Sequence, residues 1–248
     1  MLSGLRSSAS SVTPGASGAA PFEQLQRFVE GNARQRQRLL PALVALGAEL
    51  HPLIWSHLEQ QERLASDWAT GSLLRLLAAD QEQLLQLQRR YADGWLLAPP
   101  SDHTLFTELQ QALLVEELEQ ADRVTSELLR RLAGPDAQKR GYVYFSEVPA
   151  MPRAELEFID GCWWFYSSAR YGFRVQRALL DRLSWRWEEL WPKIGWKQDG
   201  VWTRYPGGFT WTHQAPEGHM PLLNQLRGVR VMDALMRHPA IDQAGSAP

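Results

Sequence analysis

Between residues 22 and 132 apolar side chains return every three or four positions, with no sustained alternation of period two. Leu25, Phe28 and Val29 open the pattern, and Leu39, Leu43, Leu46 and Leu50 continue it. Leu73, Leu76 and Leu77 begin another stripe, Leu84, Leu87 and Tyr91 a further one. A stripe of this period lines one face of an α-helix, whereas a half-buried strand needs alternation. The chain is therefore expected to be all-α. Breaks are expected at 30–32, 47–52 and 70–72, which gives an N-terminal helical bundle or a stack of helix pairs over 22–95.

The stretch DGWLLAPPSD (93–102) contains two adjacent prolines and reads as a linker. Beyond it, 105–133 reads as one helix ended by Gly134 and Pro135. Residues 154–166 and a long segment from Val175 to Trp191 are also expected to be helical. Residues 222–238 return to helix. A second domain is thus expected over 103–240, and 1–21, rich in Ser, Ala and Gly, reads as a flexible tail.

Two segments resist the helical reading. Residues 136–153 mix aromatics, charges and prolines. Residues 197–221 hold four glycines and three prolines together with Trp202, Tyr205, Phe209 and Trp211. So long a loop inside a compact domain is functional or disordered, and its aromatics argue against disorder. Eight of the 11 tryptophans lie between Trp163 and Trp211. Residues 139–248 carry net charge +3, against −5 for the preceding residues. A flat, anionic ligand suits that half. Trp202, Trp211, Tyr144 and Phe145 are candidates for its apolar walls, and Arg204, Arg227 and Arg230 for carboxylate contacts.

Other chemistries find little support. The whole chain has net charge −2, which argues against an electrostatic grip on nucleic acid. The single Cys162 rules out an internal disulfide and a multi-cysteine zinc site, and sits among apolar neighbours as a small buried residue. The six histidines fit no zinc spacing. The longest apolar run, 39–48, has 10 residues, too short for a membrane-spanning helix. An enzyme acting on a bulky substrate needs paired acids, and the second loop offers only Asp199 and Glu217.

The stretch MPRAELEFIDGCWWFYSSARYGFRVQ (151–176) closely resembles the core signature of the genomes-uncoupled-four family. Pro152, Leu156, Ile159, Asp160, Trp163, Tyr166, Ser167, Gly172, Phe173, Val175 and Gln176 match it. QADRVTSELL (120–129), WPKIGWK (191–197), WTRYPGGFTW (202–211) and APEGHMPLLNQLRGVRVM (215–232) also agree. Ala169 stands where the signature carries a glycine. The helical segment 22–90 is similar to the extra N-terminal domain of cyanobacterial members.

The resemblance implies a cupped, all-helical domain whose concave face is built by two loops, 136–153 and 197–227. It implies a non-enzymatic protein that binds protoporphyrin IX or magnesium protoporphyrin IX and stimulates magnesium chelatase through that enzyme's large porphyrin-binding subunit. A cytoplasmic location follows for a cyanobacterial member, with peripheral association at the thylakoid membrane, and a plastid one in a eukaryote. Asn224 and Arg227 fall on the family's polar binding positions, and Phe145 on its apolar floor. Val148, Trp202, Arg204, Trp211 and Met220 complete the expected lining. No metal is expected to be bound directly by the protein; Asn224 would hold a water on the magnesium. The alternatives are a ligand-free helical interaction scaffold and a diverged bilin-binding paralogue.

Overall fold

The computed structural model describes residues 19–63, 67–223 and 229–242. Their regular structure is helical except for one two-stranded hairpin, as expected of an all-α chain. The chain divides into two compact units, 1–57 and 58–248.

In the first unit, α1 (Ala19–Glu30) packs against α2 (Ala33–Leu46). Leu25, Phe28 and Leu43 are buried. The expected break at 30–32 is real. The Asn32 side chain accepts from the Gln35 amide at 3.0 Å, and the Gln35 side chain accepts from the Asn32 amide at 2.9 Å. Arg36 reaches back to the carbonyls of Phe28 and Val29 at 3.0 and 2.6 Å, filling acceptors that the end of α1 leaves open. The expected break at 47–52 is only a change of helix type. A 3-10 turn, Gly47–Leu50, joins α2 to α3 (His51–Glu59). The resulting run, Ala33–Glu59, spans 27 residues and is long and apolar enough to cross a membrane by length and composition. Counting only unbroken apolar residues misses it, because Glu49 and His51 interrupt a stretch that is apolar on average. Val44 is exposed here.

The second unit is built around α9 (Arg153–Tyr166). Leu156, Ile159, Cys162, Trp163, Phe165 and Tyr166 bury most of its circumference. Around it pack α4 (Trp68–Ala78), α6 (His103–Leu114), α10 (Phe173–Arg182) and α13 (Pro239–Asp242). Also present are α5 (Gln81–Arg90), α7 (Leu118–Ala133), α8 (Pro135–Arg140), α11 (Trp187–Lys193) and α12 (Arg230–Met236). Two polar bonds tie the core: Trp163 donates to Thr125 Oγ1 at 2.9 Å, and the Tyr166 hydroxyl donates to Gln110 Oε1 at 3.2 Å. Burial holds the Cys162 thiol protonated, pushed well up, in keeping with a packing role.

Several helix boundaries differ from the sequence reading. Residues 70–72 are no break: they lie inside α4 and are buried. Gly71 is there because the helix backbone crosses α9 so closely that a Cβ would meet the Phe165 carbonyl oxygen at 2.1 Å. The Ser72 and Ser168 hydroxyls pair at 2.7 Å beside this crossing. Consequently α4 and α5 belong to the larger unit, and the boundary lies at residue 57 instead of within 93–102. The expected helix over 105–133 is two helices, separated at Glu116, whose backbone is left-handed at φ 61°. The expected helix running to Trp191 is α10 and α11, parted by left-handed Ser184 and Trp185. Residues 197–202 form a hairpin, β1 (Lys197–Gln198) with β2 (Val201–Trp202), too short to show alternation in sequence.

Gly71→Ala is expected to cost about 1–3 kcal/mol through overpacking against Phe165. Thermal melting should fall by several degrees. Gly207→Ala, whose Cβ would meet nothing, should melt like the native chain. A fragment starting at residue 58 should fold, whereas one starting at 103, without α4, should melt far lower.

Candidate ligand-binding face

The segment from 203 to 223 has few backbone partners of its own, so its polar groups need donors and acceptors from elsewhere. The signature helices supply them. Gln176, at 0% exposure, donates through Nε2 to the carbonyls of Gly218 (3.0 Å) and Pro221 (2.9 Å). The Gly172 amide donates to the Met220 carbonyl at 3.0 Å, and the Gly218 amide to the Arg170 carbonyl at 2.8 Å. The Tyr171 hydroxyl donates to the Thr212 carbonyl at 2.9 Å, and Arg170 to the Ala215 carbonyl at 2.7 Å. Trp196 donates to the His219 carbonyl at 2.8 Å. His219 lies 2.6 Å from the Ile194 carbonyl through Nδ1, so that nitrogen carries the proton and Nε2 accepts from the Thr210 amide at 3.3 Å. Burial lowers its pKa and keeps the ring neutral.

The turn that delivers these donors is itself constrained. Asp160, fully buried in α9, accepts from the Arg174 amide at 2.9 Å and from the Arg174 guanidinium. Gly172, at φ 120°, brings the backbone against it, where a Cβ would lie 2.9 Å from Asp160 Oδ1. Ser168 and Ala169 both adopt left-handed backbone, at φ 56° and 61°. Ala169 carries that conformation without glycine's freedom.

The anchored loop presents an aromatic cluster. Ring centroids lie 5.9 Å apart for Tyr205 and Trp211, 6.1 Å for Phe209 and Trp211, and 6.4 Å for Tyr205 and Phe209. Phe209 leans on His219 at 5.5 Å, and Trp211 donates to the Pro206 carbonyl at 3.0 Å. Tyr205 is 53% exposed. A second set, with Tyr144 and Phe145 exposed, follows the end of α8. Arg140 sits over the Tyr144 ring at 4.0 Å and pairs with Glu147 at 2.7 Å. Phe145 is 45% exposed, with the Arg230 guanidinium 5.4 Å from its ring. Among the described residues no group of His, Cys, Asp and Glu could hold a metal ion.

The expected site residues divide into four groups. Phe145 and Trp211 are surface-accessible, and Arg204 is exposed with no side-chain partner among the described residues. Val148 and Met220 are buried, at 1% and 0% exposure. Val148 packs in the 3-10 turn Val148–Ala150 against α12, and Met220 is held inside by Gly172. Trp202 is half-buried between Trp191 (5.5 Å) and Lys197 (5.2 Å), at the end of a stack in which Trp191 lies on Trp187 and Trp196. Its ring supports the hairpin. Asn224 and Arg227 lie outside the described residues.

Sequence reading missed Asp122. This carboxylate is 2% exposed on α7 and accepts from the Leu222 amide at 2.7 Å. Its signal was available: Asp122 stands four residues after Leu118 and two before Val124, on the apolar stripe of an amphipathic helix.

A family model described as GUN4-like matches residues 100–239. The "Ycf53-like protein" of Synechocystis sp. is 38% identical over 226 residues, which cover 90% of this chain and 97% of that protein. The "Tetrapyrrole-binding protein, chloroplastic" of Arabidopsis thaliana is 33% identical over 150 residues, 57% of each chain. Among solved structures, GUN4 from Chlamydomonas reinhardtii superposes with TM-score 0.53 at 32% identity, over 59% of this chain and 93% of that one. Ligand-free GUN4 of Arabidopsis thaliana gives 0.51 at 34% identity, over 58% and 98%.

Replacing Gln176 by Leu leaves two buried carbonyls without their donor. Each loss should cost about 1–3 kcal/mol. Limited proteolysis should then cut within 205–221 faster than in the native chain, with the helices still intact by circular dichroism.

Proposed function

The chain belongs to the GUN4-like family, and on that footing we propose that it is a non-enzymatic tetrapyrrole-binding regulator of chlorophyll biosynthesis. The observation that carries this reading is the aromatic cluster of exposed Tyr205 with half-buried Phe209 and Trp211, on a loop fixed by buried donors. The ligands proposed are protoporphyrin IX and magnesium protoporphyrin IX. The name of the Arabidopsis relative supports a ligand of this class.

A porphyrin has two flat apolar faces and two propionates on one edge. Its faces suit the aromatic rings, because burying apolar area yields about 25 cal/mol per Å². Its propionates suit arginine, which offers two parallel donors. Arg204 and Arg230 are exposed beside the two aromatic sets, and Arg227 is proposed to join them. Asn224 is proposed to hold a water on a ligand magnesium, since that ion retains water and prefers oxygen. The proposed partner is the large porphyrin-binding subunit of magnesium chelatase. Peripheral membrane association is favoured by the exposed apolar surface along Ala33–Glu59. The proposed location is the cytoplasm of a cyanobacterial cell, or a plastid in a eukaryote, where the chloroplastic name of the Arabidopsis relative points.

Titration of the intact chain with protoporphyrin IX should shift the Soret band and quench tryptophan fluorescence. Tyr205→Ala should weaken binding by roughly tenfold, the equivalent of about 1.4 kcal/mol. Arg227→Ala should weaken it more than Arg227→Lys, because lysine keeps the charge and loses the fork. An unshifted Soret band at saturating protein would leave the ligand-free scaffold as the better reading.

A further inference from the structure

Asp122 is a buried carboxylate with no cation paired to it among the described residues. Its Oδ1 accepts from the Leu222 amide, one hundred positions away in sequence, at 2.7 Å. Leu222 follows Pro221, whose carbonyl Gln176 holds, so this bond fixes the far end of the anchored loop. The charged and titratable groups facing Asp122 are Glu119 and Arg123 on its own helix and Tyr205 from the loop. Arg123 is itself paired with Glu119 at 3.1 Å. The neighbouring helices direct their polar groups elsewhere on α7: Glu108 of α6 accepts from Gln120, and Trp163 of α9 donates to Thr125.

Resting on the tetrapyrrole reading above, we propose that Asp122 is a positioning residue of that site. Its ionised carboxylate holds the Leu222 amide and with it the end of the aromatic loop, so that tetrapyrrole affinity falls as Asp122 takes up a proton. The chemistry of the acceptor sets the sign. A carboxylate offers two oxygens that only accept, and a bond to it from an amide is charge-assisted. Protonation removes the charge and converts part of that capacity into a donor. Burial pushes the Asp122 carboxyl up to about 7, against the pull of the Leu222 amide and Arg123. The change therefore falls near neutrality: affinity is present above that value and declines below it.

The test is a titration of protoporphyrin IX into the intact native chain and Asp122→Asn, at pH 8 and pH 6, followed by tryptophan quenching. Asparagine keeps an acceptor oxygen and cannot titrate. The native chain should lose roughly three- to tenfold more affinity than Asp122→Asn on going to pH 6, as a pKa difference of up to one unit allows. Equal losses would assign the whole effect to the ligand propionates and overturn the proposal, as would a gain of affinity at pH 6 that depends on Asp122. A native chain that binds at neither pH would sink the tetrapyrrole reading itself. The ligand-free native protein gives an independent reading, which also serves if Asp122→Asn fails to fold. In it, one aspartate carboxyl carbon should titrate near neutrality together with the Leu222 amide proton. An Asp122 carbon that titrates only in the ordinary carboxylate range would overturn the proposal.

Discussion

An irregular segment can be ordered inside a domain only if its backbone polar groups find partners, and here one buried glutamine meets the hardest part of that demand. Gln176 closes two loop carbonyls, of Gly218 and Pro221, from inside α10. Around it Tyr171, Arg170 and Trp196 hold Thr212, Ala215 and His219. Tyr205 can therefore stay exposed, with Phe209 and Trp211 half-buried beside it, without the loop collapsing onto the core. A preorganised face loses less freedom on binding than a mobile one.

The signature residues of the sequence turn out to be mostly the scaffold of this face. Asp160, Gly172 and Gln176 are buried and work through the turn between α9 and α10. Their chemistry is that of loop anchoring. The same turn gathers the groups that acid would disturb. His213 stacks on Tyr171 at 5.7 Å, and its pKa is lowered to about 3 by burial and by Arg75 and Arg170. The unfolded chain takes up that proton near 6.5, so stability contributed by the neutral ring is lost as pH falls from there toward 3.

Helical class and the loop after the hairpin were legible because apolar spacing and Gly/Pro content report directly on local structure; 136–153, expected to be a loop, instead opens with α8 and holds the 3-10 turn Val148–Ala150. The breaks were less so. Thr70, Gly71 and Ser72 look like helix breakers by propensity, yet they lie inside α4 where it crosses close to α9. Tertiary packing overrides propensity there. Ser184 and Trp185 split α10 from α11 in a left-handed conformation that neither residue type announces. In the site, exposure separates residues that sequence treats alike: Phe145 and Trp211 reach the surface, whereas Val148 and Met220 are core. Asp122 was missed because a lone acid on an apolar stripe reads as an interruption until its partner, a hundred residues away, is seen.

On the proposed reading the anchored loop and its aromatic cluster form the tetrapyrrole face. A crystal structure of the intact chain with magnesium protoporphyrin IX tests it most directly. The expected result is a ring lying against Tyr205 and Trp211, with its propionates toward arginines and the bonds from Gln176 to Gly218 and Pro221 preserved. A ring bound elsewhere, or one that binds only after those bonds break, would contradict the account.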